Sequence, residues 1–189
     1  ICQRTKKRRK KFVRKYNKGM KKYKGKMPFG CKATCDYWIS TGALNKGMHQ
    51  EVDCLVCYDL GTTWHSAYPT KSRDTAETKM KLKDFCGGNT KIIKSMHTDN
   101  GGELIKAIDE LCWTNPTSAP SIPQTNYMAE SRVAVIKNST RAVIEASGFP
   151  TTAWPLAVQN VAFARNVAII GGENAYNLRH TDGHFKGPG

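Results

Sequence analysis

The distribution of charge along the chain decides which part of it can fold. Residues 1–32 contain 15 Lys or Arg and no Asp or Glu, whereas the rest of the chain contains 15 basic and 15 acidic residues. A block of like charges repels itself and cannot bury a core, so only the residues after it can form a globular domain. We therefore predict a flexible basic arm over residues 1–27, a folded core over 28–170, and a loop or truncated continuation over 171–189.

Composition narrows the class of protein further. Hydrophobic residues make up 39% of the 189-residue chain and charged residues 24%, which excludes disorder throughout and a collagenous protein. No apolar run approaches the roughly 18 residues of a membrane-spanning helix, and the basic start is not followed by the apolar stretch of a secretory signal. Seven cysteines without such a signal predict reduced thiols. The net charge of +15 lies in the first 32 residues, which predicts an anionic polymer as partner and no membrane.

Hydrophobic periodicity and turn signals predict four strands and four helices. The predicted strands are Lys32–Ser40, Val52–Leu60, Thr62–Pro69 and Lys91–Thr98. The predicted helices run from the cap Asp74 to Phe85, from Glu103 to Cys112, from Asn126 to Gly148 and from Thr152 to Val167. We assign an α/β fold (α+β layered), with a mixed sheet of three antiparallel strands and then a parallel strand, flanked by helices.

The longest predicted helix has one apolar or small stripe at helical spacing. Its members are Ala129, Val133, Ile136, Thr140, Val143 and Ser147. This face is expected to pack on the sheet.

Three carboxylates stand on separate predicted elements. Asp36 lies mid-strand among apolar and aromatic residues, Asp99 ends the fourth strand before two glycines, and Glu130 lies in the first turn of the long helix. An acid inside an apolar strand is costly unless it is paired or binds a cation. Carboxylate oxygens are the ligands that Mg²⁺ prefers. The alternative is that each acid is a solvated surface group or a helix cap.

Four segments, in order, resemble the integrases of retroelements. Residues 34–38 (TCDYW) resemble the first-aspartate strand, 97–103 (HTDNGGE) the second-aspartate motif, and 120–126 (PSIPQTN), ending at Ala129-Glu130, the third-acid motif. Residues 146–150 (ASGFP), with Trp154, Pro155, Ala157 and Asn166, resemble the segment after the core in copia-like retrotransposon polyproteins. The resemblance implies an integrase catalytic core with a ribonuclease-H-like fold and the activity of a DDE polynucleotidyl transferase.

The resemblance also implies a mechanism. Asp36, Asp99 and Glu130 would be catalytic and would bind two Mg²⁺ or Mn²⁺ ions, one between Asp36 and Asp99 and the other between Asp36 and Glu130. Together they would perform 3′-end processing and strand transfer of DNA. Two alternatives remain: a catalytically decayed DNA-binding relic, and a metal-dependent nuclease on the same fold.

Asp53 competes with Asp36 for the first position, because Val52-Asp53-Cys54 also resembles that strand. The fold requires two strands between the first acid and the first helix. Two follow Asp36 and only one follows Asp53, so we favour Asp36.

Several residues are candidates for contacts with DNA. Lys137 and Arg141 lie within about 20° of Glu130 around an ideal helix, and retroviral relatives contact DNA through a lysine at the Lys137 offset. The third-acid motif adds Gln124 and Asn126. The arm adds Lys6, Lys7, Arg8, Arg9, Lys10 and Lys11, which also resemble a nuclear localisation signal. The alternatives are a solvated helix face and a solubilising tail.

These candidates lead to expectations about partners. The chain should bind the ends of its element and target DNA, and form a homo-oligomer when active. We expect it in the nucleus, or in a cytoplasmic particle before nuclear entry.

The cysteines only partly imitate a zinc site. Cys31, Cys35, Cys54 and Cys57 have C-x₃-C and C-x₂-C spacings, but residues three apart in a strand face opposite sides. Cys2 resembles the last ligand of the zinc module that precedes the core in copia-like polyproteins. We therefore expect buried thiols and no zinc in this fragment.

Overall fold

The structure is a computed structural model that describes residues 24, 25, 27–39, 46–99, 101–116, 126–170 and 172–180, without the side chains of residues 126 and 127. The strands are β1 Ala33–Ile39, β2 Asp53–Asp59, β3 His65–Thr70 and β4 Met96–His97. The α-helices are α1 Thr75–Phe85, α2 Gly102–Glu110, α3 Asn126–Ser147, α4 Trp154–Val167 and α5 Ala175–Arg179. Two 3₁₀ turns lie at Thr90–Ile92 and Thr151–Ala153.

The four strands form one mixed sheet in the order β3-β2-β1-β4. β1, β2 and β3 are antiparallel neighbours, and β4 runs parallel to β1. Helices flank the sheet on both faces, so the predicted fold class is confirmed. None of the helices in the described ranges is long and apolar enough to cross a membrane.

Each face of the sheet buries its own hydrophobic core, because side chains alternate along a strand. On one face Cys35, Tyr37, Leu55 and Cys57 pack against α1 and α2. On the other face Trp38, Cys54 and Val56 pack against α3 and α4. β2 is therefore buried along its whole length.

The prediction of buried thiols agrees with this arrangement for Cys35, Cys54 and Cys57, whereas Cys31 is only half-buried. The Cys54 and Cys57 thiols lie in different cores, on opposite faces of β2. Cys35, Cys54 and Cys57 are all buried free thiols.

The first helix begins as its sequence predicts. The Asp74 carboxylate accepts a hydrogen bond from the backbone N–H of Glu77 at 2.8 Å, which satisfies one of the unpaired amides at the helix start. The Glu77 carboxylate in turn accepts from the backbone N–H groups of Lys71 and Ser72. The connection from β3 is thereby fixed to the first turn of α1.

The fourth strand is shorter than predicted. Residues 90–92 form a 3₁₀ turn, and only Met96 and His97 are paired with β1. β1 starts at Ala33, so the residues before Ser95 have no strand beside them. Trp113 also donates its indole N–H to the Thr90 carbonyl at 2.7 Å, which stabilises the turn.

Two further differences concern the C-terminal half. The predicted stripe of α3 is buried at Ala129, Ile136 and Thr140 and partly buried at Val133, but its last two members, Val143 and Ser147, are exposed. The segment predicted as a loop or continuation after residue 170 contains α5. Residues 181–189 lie outside the described part.

Candidate active site

Parallel pairing between β1 and β4 brings two of the three acids to the same level of the sheet. Thr34 lies opposite His97 in the register. Asp36 lies two residues after Thr34, and Asp99 lies two residues after His97. Burial and, after it, the charge of Asp99 raise the pKa of Asp36, so the two carboxylates interact through space.

The third acid approaches from the helical layer. Glu130 is exposed in the first turns of α3, and α3 packs on β1. Burial raises the pKa of Asp36 to about 6, with further increases from the charges of Asp99 and Glu130. Like charges that come together disfavour ionisation of the most buried member. The three acids predicted from the sequence therefore share one electrostatic environment centred on Asp36.

Backbone amides hold the two aspartates. The N–H of Tyr37 donates to Oδ1 of Asp36 at 2.7 Å. The N–H of Gly101 donates to Oδ1 of Asp99 at 3.2 Å. A Cβ at Gly101 would lie only 3.2 Å from the same Asp99 oxygen, so glycine lets the backbone approach the carboxylate.

The donor chemistry of this group fits a hard divalent cation. Three carboxylates provide oxygen ligands, and a cation between them would relieve their mutual repulsion. In the ranges that the structure covers, however, no three His, Cys, Asp or Glu side chains are gathered closely enough to hold a metal ion. Metal binding would therefore have to draw the acids together.

Asp53, the competing first acid, has a different environment. Its carboxylate pairs with Nε of Arg73 at 3.2 Å, and it is only 6% exposed. In β2 it alternates onto the α1/α2 face with Leu55, whereas Asp36 faces α3 and α4. Asp53 is thus paired with Arg73 and lies on the opposite face of the sheet from Asp36.

Lys137 lies on the same side of the domain as Asp36. Its Nζ is 5.4 Å from the ring centroid of Trp38, which is two residues after Asp36 on the same face of β1. Partial burial and the charge of Arg141 lower the pKa of Lys137. Arg141 itself is exposed. The arm residues Lys6–Lys11, Gln124 and the Asn126 side chain lie outside the described part.

Sequence reasoning missed two inward-facing arginines beside this site. Arg132 follows Glu130 by two residues, is 4% exposed, and stacks over the Tyr58 ring with its guanidinium carbon 4.7 Å from the centroid. Arg165 is half-buried near Tyr58 and His65. A signal was present for Arg165, since it follows the buried Val158 and Val161 by seven and four residues and thus shares their helix face.

No protein-family model and no curated protein matches the sequence. A solved structure does match: the catalytic core domain of BIV integrase, with a TM-score of 0.56 and 15% sequence identity over 79% of this chain and 93% of that one. At this identity the likeness concerns the fold. The chain therefore has the ribonuclease-H-like fold of an integrase catalytic core.

Proposed function

We propose that this protein is an integrase-type polynucleotidyl transferase of a copia-like retrotransposon, which trims the 3′ ends of its element's DNA and joins them to target DNA. The observation that carries the proposal is the common electrostatic environment of Asp36, Asp99 and Glu130 on an integrase-core fold. Three acids from separate elements of this fold are a suitable ligand set for phosphoryl-transfer chemistry.

Asp36 has the central role in this proposal. It would contribute to both metal positions, with Asp99 at one and Glu130 at the other. Bound Mg²⁺ or Mn²⁺ ions supply activation of the attacking oxygen and stabilisation of the leaving oxygen. Asp36 must be ionised to bind a cation, and its pKa of about 6 allows this at neutral pH.

DNA would be held by cationic groups around the acids. Lys137 lies on the Asp36 side of the domain, and Arg141 is exposed one turn further along α3. Gln124 and Asn126 precede Glu130 in the chain, and Lys6–Lys11 belong to the arm. Phosphate contacts of this kind provide affinity and orientation but not sequence choice.

The proposed homo-oligomer has a candidate surface on α4. Leu156 and Phe163 are 57% and 53% exposed and lie seven residues apart, on one helix face. A second copy of the chain would bury this face. Sedimentation or light scattering of Phe163→Lys against the wild type tests the idea, and an unchanged mass distribution would exclude this face as the contact. Nuclear localisation through the basic arm is proposed on charge alone.

A strand-transfer assay tests the central proposal. The full chain is given a pre-trimmed element end, target DNA and Mg²⁺ or Mn²⁺, alongside Asp99→Asn. Joined product from the wild type alone supports a polynucleotidyl transferase. Cleavage without joining would instead favour the nuclease, and DNA binding without either reaction would favour the decayed relic.

A further inference from the structure

A row of polar side chains crosses the sheet beside the acids. Each strand contributes one residue, and strand pairing puts them at one level on the α3/α4 face. In sheet order the row is His65, Tyr58, Thr34 and His97. All four are buried. Asp36 is two residues after Thr34, so the row is the next level of the same face.

Two arginines reach the row from the helical layer. The Arg132 guanidinium stacks on Tyr58. Burial, and after it the positive charge of Arg165, lowers the pKa of both Arg132 and His65, so Arg165 lies near both the second guanidinium and the buried imidazole. α3 and α4 thus direct two cations into one partly buried place.

The charge of Arg165 has little to compensate it among the described residues. Within the described part of the chain Arg165 forms no ion pair, and its Nε has no hydrogen-bond partner. Neither ring nitrogen of His65 has a partner with good hydrogen-bond geometry among the described residues, although the residue is only 5% exposed. A buried polar group without a partner costs about 1–3 kcal/mol, and an uncompensated partly buried cation adds to that cost. The missing partner must therefore accept hydrogen bonds and carry negative charge.

We propose that Arg165 and Arg132, with His65 behind them, bind one phosphate oxyanion, supplied by the nucleic-acid backbone. Arg165 is the member with a partly exposed side chain, so the anion enters there. A guanidinium provides paired donors that match phosphate oxygens. Thr34 of this row and Asp36 lie two residues apart on the same face of β1, so a phosphate at this site orients the strand beside the acids. The choice of nucleic acid as the source rests on the proposed function.

The test uses the full chain labelled with ¹³C-histidine, with inorganic phosphate as the probe and chloride at matched ionic strength as the reference. The basic arm contains no histidine, so phosphate that binds there leaves the spectrum unchanged. Ring signals are assigned with single His→Asn variants. Phosphate is expected to shift the His65 signal and, at about ten times its Kd, to raise the Tm by about 3–6 °C.

Matched variants test whether Arg165 is required for the phosphate-dependent shift of the His65 signal. Arg165→Gln should remove the His65 shift, while Arg165→Lys should keep part of it. Lys83→Gln, an exposed single-charge change on α1, should behave as wild type. An unmoved His65 signal in the wild type, or an equal shift in Arg165→Gln, would overturn the site.

A second experiment identifies the source of the phosphate. A short oligonucleotide should reproduce the His65 shift and compete with inorganic phosphate. If phosphate binds and the oligonucleotide does not compete, the assignment to the nucleic-acid backbone is wrong. Repeating both binding experiments with Asp99→Asn separates this proposal from the catalytic one, because that variant should lose strand transfer and keep the His65 shift.

Discussion

At the scale of single residues, Asp36 combines a stability cost with a proposed function. The carboxylate lies in the sheet, beside the charges of Asp99 and Glu130, and its pKa rises to about 6 from 3.8. No ion pair to Asp36 occurs among the residues that the structure covers. Such a group is destabilising when ionised, and a bound cation would reverse the effect.

Asp36→Asn should therefore stabilise the metal-free protein at neutral pH while abolishing strand transfer. The raised pKa means that Asp36 favours folding when protonated, below about pH 4, and that this contribution is lost as pH rises through about 6. At pH 7 the ionisation of Asp36 lowers the free energy of unfolding by at most about 3 kcal/mol, and water at the partly exposed carboxyl reduces this loss. Urea unfolding between pH 4 and pH 7 in EDTA should show a flatter profile for the variant.

Asp53→Asn is the matched control for this substitution. It removes a carboxylate that pairs with Arg73, so it should lower the free energy of unfolding. Strand transfer should be retained. Asp99→Asn and Glu130→Gln should abolish strand transfer as Asp36→Asn does. Full activity in any of these three variants would remove that residue from the catalytic set.

At the scale of secondary-structure elements, a single side chain links α4 to the sheet. The Asn166 amide accepts from the backbone N–H of His65 and donates to the His65 carbonyl, both at 2.8 Å. These two hydrogen bonds replace the backbone pairing that a neighbouring strand would provide. They satisfy backbone groups at the start of β3, which is an edge strand among the described residues.

Asn166→Ala should cost about 2–4 kcal/mol, because two buried backbone groups lose their partners. Thermal unfolding measures the effect. Asn160→Ala, on the exposed face of the same helix, should leave the Tm almost unchanged. Similar losses from both substitutions would mean that the amide pair does not stabilise the fold.

The orientation of α3 leads to a prediction about DNA. Lys137→Met keeps the apolar stem that covers Trp38 but removes the charge, so stability should hold. Strand transfer and crosslinking to the element end should fall several-fold, and the salt dependence of binding should decrease by about 0.9 in slope. Lys83→Met, at an exposed lysine of α1, is the control. Lys79 is unsuitable because it pairs with Glu110 at 2.9 Å, and its loss would also remove that ion pair. Equal effects of the Lys137 and Lys83 substitutions would argue against a specific contact.

Local pattern predicted those elements whose environment is repetitive. β2 and β3 alternate or stay buried along their length, and the Asp74 cap acts through neighbours three residues away. The predicted β4 is too long because Ile92 and Ile93 are typical strand residues, whereas strand pairing there depends on where β1 begins. The length of a strand is a property of its partners as well as of its own residues.

The candidate site divides in the same way. Asp36, Asp99 and Glu130 are candidates from the sequence because a motif marks each of them locally. The cation group of Arg132 and Arg165 was missed because it forms only when α3, α4 and β2 pack together. A buried arginine is rare, so the helical spacing of Arg165 from Val158 and Val161 was the one local signal for this group, and Arg132 had no such signal.

At the scale of the whole molecule, the two ends of the described chain meet. Lys24 donates to the carbonyl of Ile170, and the N–H of Gly25 donates to the Gly61 carbonyl at 2.8 Å. Arg179 of α5 lies 4.0 Å from the Phe29 ring centroid and 4.3 Å from that of Trp64. The last described helix therefore packs beside the place where the basic arm enters the domain. Residues 24 and 25 belong structurally to the folded body, so an arm deletion should end before them.

Deleting residues 1–23 removes 12 of the 15 Lys or Arg of the first 32 residues and keeps the contacts of Lys24 and Gly25. The domain should keep its Tm, because none of these contacts is lost. DNA affinity should fall strongly, and the slope of log K against log salt should become less negative by about 0.9 for each phosphate contact removed. Fluorescence anisotropy with duplex DNA from low to moderate salt measures both quantities. A second variant, with the same 23 residues kept but their Lys and Arg changed to Gln, separates charge from length and should match the deletion. If both variants keep the wild-type slope, the arm makes no contact with DNA phosphates and the folded body must account for the binding.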